Sequence, residues 1–231
     1  MEVKSDQSYQ TLLRQGQDYL ICQIFTYENL NQKISCLGGT KTTFAQSLQM
    51  GSEKKEPGTP RPIAISCKNP LIYSGSSNQI IFEKEVHIIV EQDEMELNAN
   101  KMLVTLDKQQ EPIRIEAFGE VRIRQKELIG KGDQAVWDVQ QEKGSLIGNV
   151  EINQNKRFAR GKKLVWDAKN QKAILTGDPA ELSEDERSRQ YTTSPKIIFY
   201  PEENRIEMEY FESCVLPKGI KFNDHKNNDK K

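Results

Sequence analysis

The chain repeats itself at an interval of 29 residues. Gly119-Glu120-Val121-Arg122-Ile123 is followed 29 residues on by Gly148-Asn149-Val150-Glu151-Ile152, and Gly177-Asp178-Pro179-Ala180 stands 29 further. Inside the units, Val136-Trp137-Asp138 recurs as Val165-Trp166-Asp167 at the same spacing. Ile129, Gly132 and Leu146 are matched by Phe158, Gly161 and Leu175. A period of this length marks stacked supersecondary units, each too small to bury its own apolar face alone.

Each unit reads as two strands. Val121, Ile123, Val150 and Ile152 alternate with Arg122, Arg124, Glu151 and Asn153, the period-two pattern of a half-buried strand. The second strand puts Leu164 and Trp166 on one face, with Val165 and Asp167 on the other. Asp138 to Gly144 and Asp167 to Gln171 carry turn residues. The glycine opening each unit suits a corner that needs positive φ. Pro179 cannot donate to a ladder, so a bulge is expected there, with Ala180 and Leu182 one residue out of phase with Val150 and Ile152.

Flanking segments extend the pattern with changes in length. Lys196-Ile197-Ile198-Phe199-Tyr200 takes the place of Lys163-Leu164-Val165-Trp166, and Val86-His87-Ile88 that of Val121-Arg122-Ile123. Ile63-Ala64-Ile65 and Leu71-Ile72-Tyr73 form a partial first unit. The expectation is therefore an all-β array of stacked strand–turn–strand repeats over 62–215. An unassigned N-terminal extension and linker occupies 1–61, and a polar, disordered tail 216–231. Tyr9, Leu12, Leu13, Tyr19, Leu20 and Ile24 leave room for a short helix within 7–30, and 51–62 reads as linker.

Stacking aligns side chains of successive units into apolar rows. Ile123 with Ile152, Ile129 with Phe158, Ala135 with Leu164, Trp137 with Trp166 and Leu146 with Leu175 are expected to face inward. Val86, Ile88, Val121 and Val150 complete the candidate interior. Such rows either line a groove or fill a dry sandwich core. The end strands offer unpaired backbone groups to another copy or to a partner.

Composition removes several functions. With 33 basic and 34 acidic residues the chain has no nucleic-acid footprint. Its mean hydropathy of −0.73 suits thin sheets with one wet face. The longest apolar cluster, Tyr19–Phe25, is far short of the roughly 20 residues that span a bilayer, and the opening Met1-Glu2-Val3-Lys4-Ser5-Asp6 shows no export signal. Cys22, Cys36, Cys67 and Cys214 form no C-x-x-C pair and read as independent thiols; a Cys22–Cys36 disulfide would close a short loop. His87 falls on a polar phase and His225 in the tail, so no metal site is expected. Leu37-Gly38-Gly39-Thr40-Lys41-Thr42-Thr43 lacks phosphate-loop spacing. Glu181, Glu184, Asp185 and Glu186 are followed at once by Arg187 and Arg189 and read as a solvated loop. No catalytic constellation or cofactor motif appears, and the chain is read as a non-enzyme.

At these residues the sequence resembles the LptA/OstA-like family, the periplasmic bridge proteins of lipopolysaccharide transport. Pro62-Ile63-Ala64-Ile65 with Leu71-Ile72-Tyr73 is similar to the family's opening strands. Glu85-Val86-His87-Ile88 followed by Glu96-Leu97-Asn98-Ala99-Asn100-Lys101-Met102-Leu103-Val104 resembles its signature unit. Gly161-Lys162-Lys163-Leu164-Val165-Trp166 and Gly177-Asp178-Pro179-Ala180 resemble a later strand and corner. The resemblance implies a twisted, open β-jellyroll whose apolar groove shields acyl chains of lipopolysaccharide. It further implies a periplasmic location and end-to-end joining, to another copy or to other transport proteins, through edge strands. The alternatives are a β-solenoid interaction module without lipid cargo, or an LptC-like periplasmic domain of the same system.

Overall fold

The computed structural model describes residues 2–5, 11–15, 18–30, 32–38, 40–44, 63–68, 71–90, 94–109, 111–126, 128–154, 157–167, 169–184, 186, 191–200, 203, 205–209 and 213–214. The linker expected at 51–62, the tail at 216–231 and His225 lie outside them. Every regular element among the described residues is a strand. Short strands come first: β1 (Glu2–Ser5), β2 (Thr11–Gln15), β3 (Asp18–Cys22), β4 (Ile24–Glu28), β5 (Lys33–Leu37), β6 (Thr40–Phe44), β7 (Ile63–Cys67) and β8 (Leu71–Ser74). Long ones follow: β9 (Gln79–Val90), β10 (Met95–Leu106), β11 (Pro112–Gln125), β12 (Leu128–Asp138), β13 (Lys143–Gln154), β14 (Arg157–Asp167), β15 (Lys172–Ser183) and β16 (Tyr191–Tyr200). β17 (Arg205–Met208) and β18 (Ser213–Cys214) end the series. The helix allowed for within 7–30 is not found. Its described residues form β2, β3 and β4, because their apolar side chains never settle into a 3.6-residue stripe.

From β9 to β16 the strands form an antiparallel meander, each paired with the next. Aspartates close the hairpins. Asp138 Oδ1 accepts from Gln141 N at 2.8 Å, and Asp167 Oδ1 from Asn170 N at 3.1 Å. These side chains hold the loop as an Asx-type turn, the role the sequence suggested.

Every long strand is interrupted near its middle, and these interruptions align into a crease; the β10–β11 ladder has a second shift between Thr105 and Leu106. Register shifts fall between Phe118 and Val121, Lys131 and Gln134, Ile147 and Val150, Arg160 and Lys163, and Thr176 and Ala180. Gly119 and Gly148 turn the crease at φ of +73° and +74°, followed by Glu120 and Asn149, also left-handed. At Gly148 a Cβ would stand 2.3 Å from Asp133 Oδ2, the carboxylate that accepts a 2.9 Å hydrogen bond from Asn149 Nδ2. A side chain there would meet both strain and collision. β15 turns instead at Gly177-Asp178-Pro179, as the proline led one to expect.

The crease divides the sheet into two limbs. At β9 they separate: β8 pairs with its N-terminal half and β7 with its C-terminal half. Limb I continues through β5 to β4, and limb II through β6, β3 and β2 to β1. Strands that precede residue 62 thus continue the same sheet. At the far end β17 lies on limb I and β18 on limb II. The inner faces share one apolar core that contains Phe82, Met102 and Leu146 from limb I and Ile65, Ile88 and Leu97 from limb II.

Candidate functional site

Two apolar rows run the length of limb I. One passes from Phe82 through Met102, Ala117, Ala135, Leu146, Leu164 and Leu175 to Ile197 and Met208, each cross-strand partner of the next. The other passes from Ile115 through Trp137, Gly144, Trp166 and Ala173 to Phe199 and Ile206. From Trp137 to Phe199 large and small residues alternate along the second row, so the bulky rings extend over small neighbours. Opposite them, limb II presents Ile65, Ile88, Leu97, Ile123, Gly130, Ile152, Ala159 and Leu182 in one ladder.

Next to the crease, leucines of one strand lie over glycines of the strand beside it. A Cβ on Gly132 would come within 2.8 Å of Leu146, and one on Gly161 within 2.7 Å of Leu175. Leu146 and Leu175 are accordingly shut off from solvent. Trp137 is 2% exposed, and its Nε1 is buried without a hydrogen-bond partner among the described residues.

Of the residues the sequence nominated, Val86, Ile88, Val121, Trp137, Leu146, Val150, Ile152 and Leu175 are buried in this core. Ile123, Leu164 and Trp166 are half-buried against it. Ile129 and Phe158 are corrections. Their ladder neighbours are Arg124, Asn153 and Ser183, and they alternate with the inward Gly130 and Ala159, so both carry the outward phase. The cause is the crease. It adds a single residue to β12 and β14 and flips their alternation, so Ile129 and Trp137 share odd numbering but not a face. Phe158 is nonetheless only 5% exposed, with the Arg160 guanidinium 4.8 Å from its ring centroid.

Access to the interior is uneven. Between β9 and β13 the rows are almost wholly buried, as in a dry core. Apart from Ile123 and Val139, the half-buried apolar groups gather toward the two ends: Leu20, Phe25, Ile34 and Tyr73 at one, Leu164, Trp166, Leu182, Phe199, Ile206 and Met208 at the other. Of these the repeat supplied Phe199, through its equivalence with Trp166; Leu20 and Phe25 lay in the segment left unassigned.

Outside, limb II is polar. Lys131 Nζ and Arg160 Nε both reach Glu151, at 3.1 and 3.5 Å, and Arg124 pairs with Glu96. Along the outer crease Lys68 pairs with Glu85 and Lys162 with Asp178. His87, expected to face solvent, is half-buried on the outward phase and lines a cavity of about 310 Å³ with Glu85, Asn98, Asn100 and Glu120. Among the described residues no group of three or more His, Cys, Asp or Glu is arranged to hold a metal ion. Among the described residues there is no helix long and apolar enough to cross a membrane.

These features define a class: an open antiparallel β-jellyroll, folded once along a crease, with polar outer edges and an apolar inside. Residues 69–172, a little under half of the chain, match the family model described as LptA/(LptD N-terminal domain) LPS transport protein, and that stretch is similar to the LptA/OstA-like family. The described strands from β9 to β14 all fall within it. Among solved structures the chain is similar to LptH of Pseudomonas aeruginosa, described as the LptA homologous periplasmic component of the lipopolysaccharide transport device. Identity is 16% and the TM-score 0.45, over 65% of this chain and 95% of that one. No curated protein matches the sequence.

Proposed function

We propose that the chain is a non-enzymatic segment of a lipopolysaccharide transport bridge, working in the periplasm and holding acyl chains between its limbs. One observation carries the reading. The half-buried apolar groups collect where the inner rows run out, at Phe25, Ile34 and Tyr73 and at Trp166, Phe199, Ile206 and Met208. Each methylene taken from water is worth about 0.8 kcal/mol, so an acyl chain of a dozen carbons gains on the order of 10 kcal/mol in such a lining. The family match over 69–172 supports lipopolysaccharide as the cargo.

End-to-end joining follows from the same rows. Among the described strands β4 pairs with β5 alone and β17 with β16 alone, which leaves one ladder edge open on each. Setting β17 of one copy against β4 of the next in antiparallel register aligns Met208 with Phe25 and Ile206 with Tyr27. Both inner rows then continue across the joint, and Arg205 meets Glu28. Backbone pairing supplies the affinity and the apolar rows the register.

Photo-crosslinking from benzoylphenylalanine at Phe199, with the outward Ile129 as control, tests the cargo. Lipopolysaccharide adducts at 199 and not at 129 are expected. Adducts at neither position, with protein adducts at Ile206, would instead favour an interaction module that takes no lipid.

A further inference from the structure

We propose that Cys22 and Cys36 are the two halves of a buried disulfide that fastens limb II to limb I at the N-terminal end of the crease. Cys22 closes β3 in limb II, and Cys36 lies in β5 on the inner face of limb I, so the pair joins strands that are not ladder neighbours. Their backbones meet one residue further on, where Gln23 N donates to Leu37 O at 3.0 Å. The two side chains are 1% and 0% exposed and belong to the same apolar core. A buried cysteine ordinarily serves as a small apolar filler. Two buried where their backbones meet across the limbs have a second chemistry open to them.

Cys67 shares the core and sits across from Thr40, whose Oγ1 donates to Cys36 O at 3.5 Å. The backbone bond from Gln23 to Leu37, one residue beyond each cysteine, selects Cys22 and Cys36 as the bridging pair. None of the three is in a disulfide in the structure.

Bridging is a thiol–disulfide exchange with a partner that carries a reactive disulfide. The Cys22 thiolate attacks one sulfur of that disulfide and expels the other as a thiolate. The Cys36 thiolate then attacks the Cys22 sulfur of the mixed disulfide and releases the second thiol. One S–S bond forms as one breaks; this chain loses two electrons and two protons, and the oxidant gains them. Burial pushes both thiols above their ordinary range, Cys36 furthest, so the folded core resists attack. Reaction needs the β4–β5 hairpin to open. That hairpin is an edge with Leu30 fully exposed at its tip, as expected of a region that opens locally.

The full chain, reduced and then equilibrated in glutathione buffers from fully reduced to fully oxidised, tests this. Samples are alkylated in denaturant and digested with trypsin without reduction. The expected product joins the peptide of residues 15–33 to that of 34–41 and weighs two hydrogens less than their sum. It persists in Cys67→Ser, and it goes with a shift in the folding equilibrium on the order of a hundredfold toward the native state. Full alkylation of Cys22 and Cys36 at every ratio, or bridges formed only to Cys67 or Cys214, would overturn the proposal. Both outcomes are read from the unaltered protein, so neither depends on a variant that folds.

Discussion

Trp137 and Trp166 meet across Gly144, with ring centroids 5.4 Å apart and planes tilted by 30°. They sit on alternate strands, and the contact exists because the strand between them carries no side chain at that point. A Cβ on Gly144 would lie 2.2 Å from Cζ2 of Trp166. The row Trp137–Gly144–Trp166–Ala173–Phe199 is therefore a size-matched set, in which each ring occupies room that its neighbour gives up.

Gly144→Ala should push the Trp166 ring aside and destabilise the fold by about 1–3 kcal/mol, the usual penalty for overpacking. These are the only two tryptophans in the chain, so their fluorescence reports the change directly. Urea titration should show a lower midpoint together with an altered native emission spectrum. An unchanged spectrum would mean that the rings do not pack across the glycine.

A second comparison separates inside from outside. Leu175 is fully buried over Gly161, so Leu175→Ala should cost about 2–5 kcal/mol. Ile129 faces out from limb II, and Ile129→Ala should cost well under that, about 1 kcal/mol or less. Equal losses in chemical denaturation would contradict the assigned phase of β12.

How much of this was legible beforehand follows from the crease. The 29-residue period fixes strand order, and the glycines at 119 and 148 mark two corners, because a left-handed pair of residues is cheapest to begin with glycine. Lys84 and Glu85 make the equivalent corner of β9 with no glycine, which no residue type announces. Facing is the harder matter. β11 and β13 cross the crease with two extra residues and keep their phase, so Val121, Ile123, Val150 and Ile152 were read correctly. β12 and β14 cross with one and reverse it, which is why Ile129 and Phe158 were placed on the wrong side. Alternation is a local signal and holds no memory across a bulge. The strands before residue 62 were obscured for a related reason: each is only four or five residues long, too short for alternation to stand out.

Asp167 offers a pH-dependent test of the hairpin turns. Its carboxylate accepts from the Asn170 side chain at 2.9 Å and backbone at 3.1 Å, and lies 3.3 Å from Lys143 Nζ. These partners, the Asn170 side chain foremost, hold its pKa below the usual carboxylate value. A depressed folded-state pKa stabilises the native form above the unfolded value of about 4, and that contribution fades as pH falls through the folded pKa. Asp167→Asn should cost about 0.5 kcal/mol at neutral pH. The gap from the unaltered protein should close below about pH 4, when both are followed by thermal unfolding across pH. A gap that stays constant into acid would assign the effect to turn geometry and not to charge.

The proposed joint between copies makes the most demanding prediction. Within one chain Arg205 already bonds to Glu203 and Glu207 and stacks over Tyr200, 3.7 Å from the ring centroid. Reversing its charge alone therefore disturbs β17 as well as any partner. Arg205→Glu should weaken self-association tenfold or more, on the order expected when like charges face each other, and Glu28→Arg should do the same from the other side. The informative protein is the double variant. It keeps every intrachain loss of Arg205→Glu, yet restores an opposite-charge pair across the joint, so association measured by sedimentation should return toward that of the unaltered chain. Recovery can come only from residues 28 and 205 meeting between copies, because β4 and β17 lie at opposite ends of the described sheet. A double variant no better than the worse single one would show that the rows do not continue from Met208 to Phe25 and that another edge carries the contact.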